Sequence, residues 1–292
     1  HPGDDGGPLR ARQPSRSRGW WGTDTVWGVS PTYPDGVLIG ETRFDFVSAT
    51  KQQWRPGWIP VRKSAALGAR YLELSGEFAY GNIVELGIDR GASTAYLLSI
   101  LHPTGLVAID INTTIPDELA GFLDGSPLAA ATTLGWGVDQ TDGETLVRLL
   151  EQRFGEAPLD LIIDDASHAF AATVASFEIL FPRLRPGGLY LIEDWAWFEQ
   201  VEAGLIAAIE ADPSGGVART VAERARRQPA QTPLSRIAAL LALAGAYSPE
   251  VIAGVTLRPD WIEVRRGPAR VPDGLRLPEL ISPTARGWLD LG

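Results

Sequence analysis

GNIVELGIDRGASTAYLLSILHPTGLVAID, residues 81–110, holds two short apolar runs on either side of a helical stretch. NIVELG reads as a buried strand, GASTAYLLSILH as a helix and GLVAID as a second buried strand. The alternation continues outward from there. PDELAGFLDG (116–125) reads as a short helix, ATTLGWGV (131–138) as a strand and residues 143–154 as a helix. LDLIID (159–164) is a strand, residues 171–184 a helix and GLYLIED (188–194) a fifth strand. Short apolar runs separated by helices indicate parallel strands covered on both faces. Two more helices, around 198–211 and 234–247, precede VIAGVTLR and WIEVRRG. These two extended runs flank Pro259 and Asp260 and read as a terminal antiparallel hairpin. The expectation is an α/β fold: a doubly wound, mostly parallel, Rossmann-like sheet with a C-terminal antiparallel hairpin.

Before this block the sequence behaves differently. Residues 1–19 are rich in Gly, Pro, Ser and Arg and are expected to be a disordered tail. Residues 20–80 carry Trp20, Trp21, Trp27, Tyr33, Phe44, Phe46, Trp54 and Trp58 without a clear period. They read as a lid or as a packed extension. The α/β domain is assigned to 81–270 and a C-terminal tail to 271–292.

Composition removes whole classes of chemistry. Among 292 residues there is no cysteine, so thiolate zinc, iron–sulfur clusters, disulfides and cysteine nucleophiles are out. Three histidines, His1, His102 and His168, cannot form a three-histidine zinc site, and Lys51 and Lys63 are the only candidates for a Walker or Schiff-base lysine. A net charge of −10 argues against nucleic acid as a partner, and Arg224, Arg226 and Arg227 read as a solvated helix face. The longest apolar stretch, Ile237 to Tyr247, falls short of the ~20 residues a bilayer requires. The polar opening HPGDDGGPLRARQPSRSRG does not read as a signal peptide, so a cytoplasmic location is expected.

Ligands of such sheets bind beyond the carboxyl ends of the strands. The first strand brings Glu85 and Gly87 there, with Gly91 and Ser93 opening the next helix. Gly87 permits a tight turn and Gly91 a close backbone approach to a ligand. The second strand ends in Asp110, suited to ribose hydroxyls, and the third in Asp139 and Gln140, placed to meet an adenine edge. The close GxG of a dinucleotide fingerprint is missing, which leaves room for a cofactor without phosphate. Over residues 81–266 this pattern resembles the class I S-adenosylmethionine-dependent methyltransferases.

The fourth strand runs into Asp164, Asp165, Ala166, Ser167 and His168, and the fifth into Glu193 and Asp194. Several carboxylates at one sheet edge repel unless a hard divalent cation joins them, and oxygen ligands suit Mg²⁺ or Mn²⁺. The alternative is that these side chains cap the following helices. DLIIDDASHAFAATVASFEILFPRLRPGGLYLIEDW resembles the corresponding stretch of the metal-dependent sugar O-methyltransferases that tailor macrolides such as mycinamicin and tylosin. It is more loosely similar to the cephalosporin-hydroxylase-like group. The resemblance implies metal ligands at Asp165, Glu193 and Asp194, a general base at His168, and a turn at Pro186–Gly188 before the fifth strand. Asp164 would orient the site or touch the cofactor. A hydroxyl of a natural-product sugar or glycoside would be the acceptor, and a homo-oligomer the assembly. A phenolic or catechol acceptor, an NAD-linked oxidoreductase and a noncatalytic partner-binding subunit stand as alternatives.

Overall fold

The computed structural model describes residues 36–47, 57–211, 232–271 and 274–288. The expected N-terminal tail lies outside them, as do most of the early tryptophans and the arginines at 224–227. The chain divides into two units, His1–Gly68 and Ala69–Gly292.

In the first unit β1 (Gly36–Ile39) and β2 (Thr42–Phe46) form an antiparallel hairpin, and β3 (Ile59–Val61) lies parallel to β2. Gly40 makes the turn at φ 57°. Phe44 and Val61 are fully buried, and the ring of Phe46 occupies the space that a side chain at Gly68 would need.

Helix α1 (Ala65–Phe78) leads into the second unit, which begins inside this helix rather than at residue 81. Then follow β4 (Asn82–Leu86), α2 (Ala92–Leu101), β5 (Gly105–Asp110), α3 (Asp117–Leu123), β6 (Thr132–Trp136) and α4 (Gly143–Phe154). The second half contains β7 (Leu159–Asp164), α5 (Phe170–Leu180), β8 (Leu184–Glu193), α6 (Trp197–Ala211), α7 (Arg236–Tyr247), β9 (Ile252–Leu257), β10 (Trp261–Arg266) and α8 (Pro283–Trp288). Among the described residues no helix is long and apolar enough to cross a membrane.

The seven strands are ordered β6-β5-β4-β7-β8-β10-β9. Strands β4 to β8 are parallel, and β10 runs against both β8 and β9. The expected doubly wound sheet and closing hairpin are both present. Every residue of β5 is buried, as the unbroken apolar run GLVAI requires of a central parallel strand. The chain steps outward from β4 to β5 and β6, then returns to β7 and β8 on the other side. Strand order therefore reverses between β4 and β7, and the crevice of the sheet opens there.

Three local readings are corrected. The fifth helix ends at Leu180, and a single 3₁₀ turn at Phe181–Arg183 delivers the chain to β8. Pro186–Gly188 is not a turn before the strand but an irregularity inside it. Leu159 pairs with Leu184 and Leu161 with Leu189, so extra residues of β8 bulge out. Pro186 cannot donate to a ladder and Gly187 sits at φ 80°, which explains the break. Within the stretch assigned as a C-terminal tail, 271–292, the described residues Val271, Leu275, Leu277, Ile281 and Ala285 are buried in the hydrophobic core. The buried Glu178 of α5 fastens them, accepting from the Leu277 N–H at 2.8 Å and pairing with Arg276 at 3.1 Å.

Candidate active site

Beyond the carboxyl ends of β4, β5, β6 and β7 lies a cavity of about 410 Å³, lined by Gly87, Asp89, Asp110, Asn112, Asp139 and Asp165 among others. Backbone bonds carry the sheet up to its rim: Gly87 N–H donates to Ile109, Val138 N–H to Asp110 and Asp165 N–H to Leu86, each at 2.9–3.0 Å. Gly87 adopts φ 93°, and a Cβ there would stand 2.2 Å from the Asp165 carbonyl oxygen. The loops after β4 and β7 touch through that missing side chain.

The other expected cofactor residues divide. Asp110 lies at the cavity, and its Oδ2 accepts from the Ile88 and Asp89 N–H groups and its Oδ1 from Asn112 N–H, all at 2.8 Å. It braces two of the loops that border the cavity, those after β4 and β5. Asp139 also lines it, holding Thr141 through N–H and hydroxyl bonds of 2.8 Å. Glu85 and Ser93 bond to each other at 2.7 Å, away from the lining. Gly91 starts α2 at φ 80°, but what crowds its backbone is Leu119 of α3, 2.5 Å from where a Cβ would be. Gln140 also lines the cavity, but it is buried and its amide bonds to Ser167, Ser176 and Asp164.

Asp165, His168 and Asp194 converge, with one potential ligand atom of each lying within 4.8 Å of the others. Opposite ligands of an octahedral ion with ~2.1 Å bonds stand ~4.2 Å apart, so the spacing of the group is near what a cation spans. The donor set fits a hard divalent ion through its two carboxylates. An imidazole is the ligand of softer metals, which makes His168 the odd member. His168 Nε2 stands 3.9 Å from Asp165 Oδ1, beyond hydrogen-bond reach, and its ring lies 6.4 Å from that of the half-exposed Trp197. Glu193 lies outside this group. It is buried and accepts a hydrogen bond from the Tyr71 hydroxyl of α1. Burial, with Glu193 alongside, pushes the Tyr71 pKa well up, so the phenol keeps its proton.

Asp164 is buried one residue before this group. Its Oδ2 accepts from Ser176 at 2.7 Å and from the Tyr190 hydroxyl at 2.9 Å. Burial raises its pKa to about 6. Asp194 is held from the far side by the hairpin turn. Its N–H donates to the Asp260 carbonyl at 2.8 Å, and the Trp195 indole donates to the Arg258 carbonyl at 2.7 Å.

Backbone strain gathers here as well. Asp89, His168 and Asp194 occupy the left-handed region at φ 47–52°, a conformation that costs of order 1–3 kcal/mol in a non-glycine residue and is commonly kept at functional sites.

Several contributors were not singled out from sequence: Tyr71, Ser176, Tyr190 and the carbonyls of the hairpin turn. For Tyr71 a signal existed, because Leu67, Tyr71, Leu74 and Phe78 fall at helical spacing and are all buried. For the turn carbonyls there was none, since a backbone carbonyl leaves no mark in a sequence.

Residues 84–195 match the family model of the methyltransferase domain. Over 56 residues, 19% of this chain and 13% of the relative, the sequence is 54% identical to the mycinamicin VI 2''-O-methyltransferase of Micromonospora griseorubida. It is 52% identical, over 56 residues, to the 8-demethyl-8-alpha-L-rhamnosyl tetracenomycin-C 2'-O-methyltransferase of Streptomyces olivaceus, again 19% of this chain and 14% of that relative. The matched segment thus spans 13–14% of the length of these curated relatives. Among solved structures, the MycE methyltransferase from the mycinamycin biosynthetic pathway, in complex with Mg and SAH, superposes with a TM-score of 0.45. Its identity is 22%, covering 74% of this chain and 51% of that one. The segment that matches the methyltransferase-domain model, residues 84–195, carries the strand ends and loops of the cavity together with Asp165, His168 and Asp194.

Proposed function

We propose that this chain transfers the methyl group of S-adenosylmethionine to a hydroxyl of a small-molecule sugar or glycoside, with Mg²⁺ or Mn²⁺ at the acidic mouth. The observation that carries the reading is the adjacency of two features at one sheet edge. A cavity lined by strand-end loops meets a group of two carboxylates and an imidazole across Asp165, which belongs to both. The family match supports methyl transfer, and the identity with antibiotic-sugar O-methyltransferases supports a sugar acceptor.

The bare backbone of Gly87, with Asp110 and Asp139 on the cavity wall, would hold the cofactor. Glu85 and Ser93 hold the start of α2, and Gly91 admits α3 against it. Asp165 and Asp194 would hold the cation, with Glu193 adding negative charge beside them, and a cation held there would make a nearby hydroxyl more acidic. His168 takes the proton of that hydroxyl as its oxygen attacks the methyl carbon. The carbon–sulfur bond breaks and its electron pair stays on sulfur. The products are the methyl ether, S-adenosylhomocysteine and an imidazolium that returns its proton to water. Holding the acceptor in line with the methyl group supplies much of the acceleration, because an alkyl hydroxyl is a weak nucleophile.

Calorimetric titration with S-adenosylhomocysteine, with NAD as the control, tests the reading. One-site binding of S-adenosylhomocysteine alone is expected. Binding of NAD alone would overturn it in favour of a dehydrogenase, and binding of neither would leave the acidic mouth without a methyl donor.

A further inference from the structure

The loop after β6 presents Val138, Asp139, Gln140 and Thr141 to the cavity, yet the Gln140 amide is already bonded within the protein. Gln140 is only 5% exposed. Its Oε1 accepts from the Ser167 backbone N–H at 2.9 Å, and its Nε2 donates to Ser176 Oγ at 3.1 Å and to Asp164 Oδ1 at 3.3 Å. The amide orientation is determined from both ends. Only an oxygen can face the Ser167 N–H, and only the NH₂ can face a carboxylate oxygen. An adenine edge would have to compete with three bonds already made inside the protein.

One side chain therefore joins four parts of the fold: the loop bordering the cavity, the end of β7, the turn that carries the convergent residues, and α5 through Ser176. Ser167 lies between Asp165 and His168, and His168 itself is held at φ 52°. A turn in that conformation relaxes unless its backbone groups are tied, and the Gln140 carbonyl is the tie at Ser167.

We propose that Gln140 is a positioning residue that sets the Asp165–His168 turn and links the shape of the cofactor loop to the cation and proton-transfer side chains. This rests on the methyltransferase reading for what fills the cavity and what the turn does. The link to the turn itself rests on the Ser167 bond, with the bonds to Asp164 and Ser176 fixing the amide.

The test compares the full chain with Gln140→Leu, close in size but unable to make any of the three bonds, and with Gln140→Glu, which keeps an acceptor oxygen for Ser167. Three quantities are measured: binding of Mn²⁺ alone, binding of S-adenosylhomocysteine by calorimetry, and amide exchange of the 165–169 segment. In the Leu variant the Mn²⁺ affinity is expected to fall about 10–100-fold, the loss typical when a group that orients metal ligands is removed. Exchange at 165–169 should speed up, while S-adenosylhomocysteine affinity stays within about 3-fold, under 1 kcal/mol. In the Glu variant, which keeps the Ser167 bond but sets an oxygen against Asp164, the Mn²⁺ affinity should return in part, and that variant decides the matter if the Leu protein does not fold. A large loss of S-adenosylhomocysteine affinity with Mn²⁺ binding unchanged would overturn the proposal and make Gln140 an adenine contact. Unchanged Mn²⁺ binding with only a lower Tm would reduce it to a packing residue, and absence of Mn²⁺ binding by the unaltered protein would overturn it too. If S-adenosylhomocysteine fails to bind the unaltered protein, the methyltransferase reading falls, and the Mn²⁺ and exchange comparisons still decide the role of Gln140.

Discussion

A Cβ at Gly87 would meet the carbonyl of Asp165 at 2.2 Å, and the residue sits at φ 93°. Gly87→Ala should therefore cost about 1–3 kcal/mol from the backbone conformation alone, and more from the collision. Urea unfolding measures that loss, and a fall in Mn²⁺ affinity would report the displaced Asp165. His168 raises a different expectation. With Nε2 beyond hydrogen-bond reach of Asp165, His168→Ala should leave S-adenosylhomocysteine binding intact and lower kcat by about 10²–10⁴-fold, the range of a general base. A variant that kept wild-type turnover would remove His168 from the mechanism. The positions of these residues are legible in the sequence because strand ends are legible: Gly87, Asp110, Asp165, His168 and Asp194 all fall within five residues of the end of an apolar run. The direction of a side chain is not. Gln140 turns toward Ser167 and Ser176, 27 and 36 residues later, and Glu193 accepts from Tyr71, 122 residues earlier. No local pattern announces such partners.

Helix α1 shows what an element contributes. Tyr71 reaches Glu193, while the neighbouring Arg70 binds Glu263 of β10 through bonds of 2.7 and 2.8 Å, with the Trp261 indole on the same carboxylate at 2.9 Å. Burial works to raise the Glu263 pKa, but the Arg70 guanidinium and the indole bring it below the ordinary 4.5. A carboxyl depressed in the fold stabilises it above the unfolded pKa and loses that contribution as pH falls through the folded one. Glu263→Gln should cost about 2 kcal/mol at pH 7, a typical value for hydrogen bonds to a charged group. In a unit of this size that is a Tm lower by roughly 4–8 °C. Thermal melts from pH 7 downward should show the two proteins converging below pH 4.5. A constant gap would mean that the carboxylate charge is not what matters. The buried stripe of α1 was present in the sequence, but the aromatic crowding before it masked the period. The irregularity in β8 was half legible: Pro186 and the two glycines announced a break, not that the strand continues across it.

At the scale of the molecule, a net charge of −10 and an acidic mouth should disfavour anionic acceptors. A neutral glycoside should exceed its phosphate ester about 10-fold or more in kcat/KM, with the margin shrinking as salt screens the field. Equal rates at low salt would show that charge does not filter the acceptor. The parallel order of the first five strands of the large sheet was readable, because each apolar run and each helix is short and well separated. The packing of residues 271–285 was not, since a few buried apolar residues among prolines carry no period.

The order of the sheet also bears on how the chain is made. Every side chain of the mouth is translated by residue 194, yet β8 then has a bare edge, because its second neighbour is β10 and not the earlier β9. Strand β9 sits at the rim of the sheet and meets it only through β10. A ribosome that pauses between the two strands therefore holds a long, mostly buried strand with its hydrogen-bonding groups open to any extended segment nearby, including the same strand of a neighbouring nascent chain. The six residues from Trp261 to Arg266 act as the closing stitch, and the yield of usable protein should depend on how quickly translation reaches them.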